Sequence, residues 1–91
     1  MTLDFEWDSE KARRNESKHG VSFAEAAEVF GDEMSSTVPD PDHSAGEERF
    51  LIFGVTKGGQ YLVVSYSERQ NRIRLISARP MTARERKAYE Q

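Results

Sequence analysis

Seven cations crowd into the last 23 residues of the chain: Arg69, Arg72, Arg74, Arg79, Arg84, Arg86 and Lys87, against only two carboxylates, Glu85 and Glu90. That segment balances to +5, whereas residues 1–68 balance to −8, in a chain whose net charge is −3. Guanidinium groups stay charged and offer paired donors to phosphate. A cluster of them suits a site that holds a phosphodiester and stabilises the negative charge that builds as it is cut. Local basic character on an acidic protein is the electrostatic footprint of a phosphate-binding face. The plainer reading is a solvated C-terminal helix and a charged outer strand surface.

Proton-transfer candidates are few. His19 follows Lys18 at the end of the first expected helix, where a cation is also stabilised by the helix dipole without any catalytic role. Glu68 directly precedes Arg69 and suits either a general base or an ion-pair partner. The ion pair is favoured, because an adjacent arginine depresses a carboxylate's pKa. Tyr66, on the same strand as Glu68, suits base stacking, proton donation or packing. With period-two alternation, Arg72 and Arg74 share one strand face, while Ile73, Leu75 and Ser77 take the other.

Other chemistries have no residues to carry them. Cysteine is absent, which removes disulfides, thiolate zinc sites and a cysteine nucleophile. His43 lies in Asp40-Pro41-Asp42-His43-Ser44, but as a calcium loop this stretch has Ala45 and Leu51 at the sixth and twelfth positions, where glycine and glutamate belong. No phosphate-binding glycine loop and no G-x-S-x-G elbow occurs, so neither a metal nor a cofactor is expected.

The elements that must position these groups are legible from caps and periodicity. Leu3 to Phe5 reads as a short strand. Asp8 caps a helix over 9–18, with Trp7 before it able to pack on Ala12, and Gly20 supplies the left-handed stop. Ser22 and Glu25 form a capping box for a second helix ending at Gly31. Met34 to Val38 is a weakly signalled strand, followed by clear ones at Arg49 to Thr56, Gln60 to Ser67 and Arg72 to Ala78, joined by hairpin-length turns. Pro80 ends the last, and Thr82 with Glu85 caps a final helix of about two turns. The expected fold is one α+β domain over residues 1–91: an antiparallel sheet with two N-terminal helices packed on one face and a short C-terminal helix. The acidic N-terminus and the lack of any run of ~18 apolar residues point to the cytoplasm and away from membranes.

Taken together, Phe5-Glu6-Trp7-Asp8, Lys11, Asn15, Lys18-His19-Gly20-Val21-Ser22-Phe23, Asp40-Pro41-Asp42-His43-Ser44, Glu47-Glu48-Arg49, Ser67-Glu68-Arg69, Ile73 to Arg79, Arg84-Glu85-Arg86 and Tyr89 resemble the BrnT toxin family over nearly the whole chain. The resemblance implies a RelE-like fold and a metal-independent endoribonuclease that stops translation. It also implies a protein partner, an antitoxin of the BrnA type, with DNA contacted only through that partner. On this reading Arg69, Arg74 and Arg79 contact the scissile phosphate while the 2′-hydroxyl attacks it. His19, or else Glu68, moves the proton, and Lys18, Tyr66 and Arg72 help bind the substrate. The rival is a non-catalytic interaction module, and what separates the two is whether the arginines converge with His19 in one concavity.

Overall fold

The structure, a computed structural model, describes residues 3–40 and 48–91; most of the stretch around His43, where no metal site is expected, lies outside them. Strand β1 (Asp4–Glu6) leads into helix α1 (Ser9–His19), helix α2 (Phe23–Glu28) and a 3-10 turn (Val29–Gly31). Strands β2 (Ser36–Pro39), β3 (Phe50–Val55), β4 (Tyr61–Arg69) and β5 (Arg72–Pro80) follow, and α3 (Ala83–Tyr89) closes the chain. The α+β class and the three helices stand as expected. The caps explain why so polar a helix as α1 forms: Asp8 accepts from the amides of Glu10 and Lys11, and Gly20 ends the helix at φ 71°. Both expected capping boxes are present, Ser22 with Glu25 and Thr82 with Glu85.

The sheet order is β1-β5-β4-β3-β2. β2 to β5 form an antiparallel meander, but β1 joins the far edge in parallel with β5. The core lies between one sheet face and α1 and α2, built on Phe23, Val29, Ile52, Leu62, Val64, Leu75 and Ala78. Burying these side chains is the main driving force for a chain this small. Trp7 packs edge-on against Phe23 at 5.9 Å between ring centroids, so the aromatic expected to staple Ala12 reaches α2. The helices do not all share a face. Tyr61 and Phe53 point away from the core, and α3 lies against them: Tyr89 meets the Tyr61 ring edge-on at 5.7 Å, and its hydroxyl donates to Asp32 Oδ2.

One irregularity decides what the helix-free part of that outer face carries. Ser65 pairs with Ser77 but Tyr66 pairs with Leu75, which leaves Ile76 as the extra residue of a bulge in β5. The bulge reverses the alternation. Ser77, expected with Ile73 and Leu75, is exposed, and Ala78 takes the core position. Arg79 is therefore turned outward, onto the face that already holds Arg72 and Arg74.

Candidate nucleic-acid interface

Backbone register places Arg69, Arg72, Arg74 and Arg79 on the outer face, running along the paired strands β4 and β5. Carboxylates organise them. Glu6 sits beside Arg74 through the parallel β1 pairing and accepts from Arg74 Nη1 at 3.2 Å and from Arg72 Nη1 at 3.5 Å. At the other end Arg79 grips Glu85 with both terminal nitrogens, Nη1 to Oε1 at 2.8 Å and Nη2 to Oε2 at 2.9 Å, and also donates to the Pro80 carbonyl. That bidentate bond, helped by the Thr82 amide and hydroxyl, holds the Glu85 carboxyl down at about 2 and pushes the Arg79 guanidinium up from its ordinary value. Three of the five guanidinium N–H bonds of Arg79 are engaged. The side-on fork, Nε–H with the second Nη2–H, keeps no protein partner among the described residues.

His19 stands apart from the hairpin arginines. It lines a groove of about 350 Å³ with Gly20, Tyr61, Pro80, Met81 and Arg86, beyond the C-terminal end of β5. Arg69 lies at the start of that strand, beside Glu6 and Arg72 in a second recess. Nine residues of extended chain separate the two ends, roughly 25 Å at the strand rise. The expected site thus divides: His19 and Arg86 line the groove, with Lys18 next to His19 in the chain and Arg79 one residue before groove-lining Pro80 but turned to the outer face, while Arg69, Arg72, Arg74 and Glu68 lie towards the other end of the strand pair. Arg86 stacks over the Tyr61 ring with Cζ 3.9 Å from the centroid, which fixes its guanidinium beside the groove.

Tyr66 does not belong to either cluster. It is 7% exposed in the core, its ring set against Phe30 at 5.0 Å and Phe50 at 5.5 Å. Burial pushes its hydroxyl's pKa up, against a hydrogen bond with Thr37 that lowers it. Glu68 is exposed near the hairpin tip, far from His19. The hairpin turn itself uses positive φ at Gln70 (48°) and Asn71 (70°), the mirror-image turn that suits twisted strands.

Three contributors have no role that local sequence reasoning assigns. Glu6 becomes visible only through the β1–β5 pairing, which no local pattern announces. Arg86 belongs to the basic run, but its stacking on Tyr61 depends on where α3 docks. Asn15, the one buried residue of α1, donates from Nδ2 to the carbonyls of Val21 (3.1 Å) and Ala78 (2.9 Å) and accepts from the Ala78 amide at 3.0 Å. It ties the helix that carries His19 to the strand that carries Arg79.

Comparison with known proteins agrees with this architecture. No curated protein sequence matches the chain. A crystal structure of the Brucella abortus ribonuclease toxin BrnT superposes with a TM-score of 0.65 at 23% identity, covering 89% of this chain and 99% of that one, which shows a common fold. Residues 7–85 match the family model for the ribonuclease toxin BrnT of type II toxin-antitoxin systems. The match takes in α1, the whole sheet beyond β1 and Arg79 with its partner Glu85, and by it the chain belongs to the BrnT family of ribonuclease toxins.

Proposed function

We propose that this toxin is a metal-independent endoribonuclease, acting as a single domain over residues 1–91, that carries RNA along its outer sheet face and cuts it at the His19 end. The observation that supports the reading is the bulge at Ile76, which turns Arg79 onto the arginine face, one residue before Pro80 of the groove that His19 lines. The scissile phosphate would sit at the mouth of that groove. His19 takes the proton of the 2′-hydroxyl, the 2′-oxygen bonds to phosphorus, and the bond to the 5′-oxygen breaks as that oxygen takes a proton from water, the hydroxide so formed being neutralised by the protonated His19. The products are a 2′,3′-cyclic phosphate and a 5′-hydroxyl. The free fork of Arg79 and the stacked Arg86 stabilise the added charge on the phosphoryl oxygens, with Lys18 nearby. Arg69, Arg72 and Arg74 hold the flanking backbone. Tyr66 acts by packing, and Glu68 by charge at the hairpin.

Cutting RNA in the cytoplasm would stop translation and harm the host unless a partner covers the enzyme. An antitoxin of the BrnA type, presenting acidic side chains to the arginine face, fits that need. The test compares purified wild type with His19→Ala, Arg79→Ala and Arg72→Ala on an RNA oligonucleotide, with and without EDTA. His19→Ala and Arg79→Ala should each lose about 10²–10³ in rate, Arg72→Ala should lose mainly affinity, and EDTA should change nothing. Wild-type rates in both His19→Ala and Arg79→Ala, or loss of activity in EDTA that one divalent ion restores, would refute the reading.

A further inference from the structure

Arg49, outside the predicted site, lies on the same outer face. The β3–β4 register continued by one residue sets it opposite Ser67, and Ser67 is paired on its other side with Arg74. The Asp40 amide donates to the Arg49 carbonyl at 2.9 Å, so the backbone there still follows the sheet. Arg49 shares its face with Leu51 and Phe53, away from the core, because side chains alternate. Two arginines therefore flank a fully buried serine, with backbones roughly 10 Å apart, two strand spacings.

The two guanidiniums differ in what they hold. Arg74 is paired to Glu6, whereas Arg49 Nε is buried and donates to nothing among the described residues. Buried donors are nearly always satisfied, so one that is not calls for an explanation, and an acceptor supplied by a ligand is one that fits the charge around it. We infer that Arg49 and Arg74 form a phosphate subsite that grips an RNA backbone phosphate beside Arg69 and Arg72, extending the hairpin cluster across the sheet. A phosphodiester supplies what the pair lacks: a monoanion whose two free oxygens can accept from Arg49 Nε on one side and from Arg74 on the other. Arg74 already has its carboxylate in Glu6, so the donor left wanting an acceptor is on Arg49. The inference rests on the proposed path of RNA along this face.

The experiment uses the full chain and a 2′-O-methyl RNA oligonucleotide, which binds but offers no 2′-hydroxyl to attack. In the wild type, the Arg49 Nε–H resonance is followed by NMR during titration with the oligonucleotide and, separately, with inorganic phosphate. It should shift and saturate with the oligonucleotide, and shift more weakly with phosphate. An Nε–H signal that stays put at saturating oligonucleotide overturns the inference. Arg49→Gln, checked for fold by circular dichroism, should bind about 5–30-fold more weakly and lower the salt dependence of log affinity by about 0.7, the loss of one single-strand phosphate contact. Arg49→Lys should keep the salt dependence and recover part of the affinity. If Arg49→Gln binds as wild type does while Arg72→Ala binds more weakly, the subsite is wrong and the RNA path stands. If wild type binds no oligonucleotide, both fall.

Discussion

Replacing Asn15 should do more damage than replacing any arginine of the outer face. Its side chain makes three hydrogen bonds in a buried setting, two as donor and one as acceptor. In Asn15→Ala all three are lost, and the Ala78 amide is orphaned in a residue with no exposed surface. Three bonds at about 1 kcal/mol each, with the penalty for a buried unpaired amide, give a loss of about 3–5 kcal/mol. That is a large share of the roughly 5–14 kcal/mol total expected for a domain of this size. At about 4–8 °C per kcal/mol, the melting temperature should fall by about 12–40 °C. Asn15→Asp provides the sharper test. It keeps the acceptor for Ala78 but turns a carboxylate toward the carbonyls of Val21 and Ala78, so its folded-state pKa must be raised. The stability of this variant relative to wild type should therefore improve as pH falls through that raised value, when protonation restores a donor. Asn15→Ala should show no such recovery. Thermal melts followed by circular dichroism from pH 4 to 8 decide the matter. An Asn15→Ala melt within about 4 °C of wild type, or an Asp variant with no recovery in acid, would refute the reasoning.

Three further outcomes are expected. Gly54→Ala should cost about 1–3 kcal/mol in urea titration, because the new methyl would lie 2.6 Å from Cγ1 of the fully buried Val29 and 3.1 Å from Asp32 Oδ2, side chains that must shift within a packed core to admit it. The Glu85 carboxyl, held at about 2 against an ordinary 4.5, contributes stability that is present above pH 4.5 and lost as pH falls towards 2. With Arg79 40% exposed and the pair screened by solvent, the difference between wild type and Glu85→Gln across that window should be about 1–2 kcal/mol, read from acid melts; a flat difference would contradict the assignment. Co-expression with the product of the adjacent gene should yield a complex whose hydrogen-exchange protection falls within Arg69 to Lys87 and whose association slows with salt, and protection wholly outside that segment would count against an antitoxin on the arginine face.

The parts of this fold written in local code are readable in the amino-acid sequence. Asp8, Gly20 and the two capping boxes mark helix ends through hydrogen bonds made within four residues, and the strands of the meander announce themselves by β-branched runs between tight turns. What local code cannot carry is pairing at a distance. β1 is three residues long and pairs with a strand more than sixty positions away, so neither its parallel direction nor the place of Glu6 beside Arg72 and Arg74 has a sequence signal. The bulge at Ile76 is hidden for a related reason: alternation is a rule about an uninterrupted strand, and the extra residue is defined only against the partner strand. Strict alternation therefore puts Ser77 in the core. The arginine cluster is legible as charge, but its distance from His19 is not, because a nine-residue strand keeps its ends apart however close they seem in a run of basic residues. Tyr66 shows the limit from the other side: the alternation of β4 groups it with Leu62 and Val64, and that grouping, not the chemistry of its hydroxyl, sets its place in the core.

An arginine gripped by a carboxylate looks neutralised, yet the geometry of Arg79 argues that Glu85 prepares it instead. The carboxylate and the Pro80 carbonyl occupy the end of the guanidinium and one edge, leaving Nε–H and one Nη2–H side by side. That remaining fork matches two oxygens of a phosphate as well as the occupied one matches a carboxylate. A long side chain on a half-open face would otherwise lose conformational freedom on meeting RNA. Here that freedom is already spent in the folded protein, so binding need not supply it. Glu85 is itself held by the Thr82 cap, and Thr82 follows Pro80 and Met81 at the rim of the groove that His19 lines. A capping box that reads in the sequence as the start of a helix thus also aims an arginine. Glu6 and Glu85 offset part of the positive charge on the face, so on the proposed reading attraction for RNA at long range is modest. On that reading, what would discriminate a phosphodiester from other anions is the set of directed N–H bonds it meets on arrival.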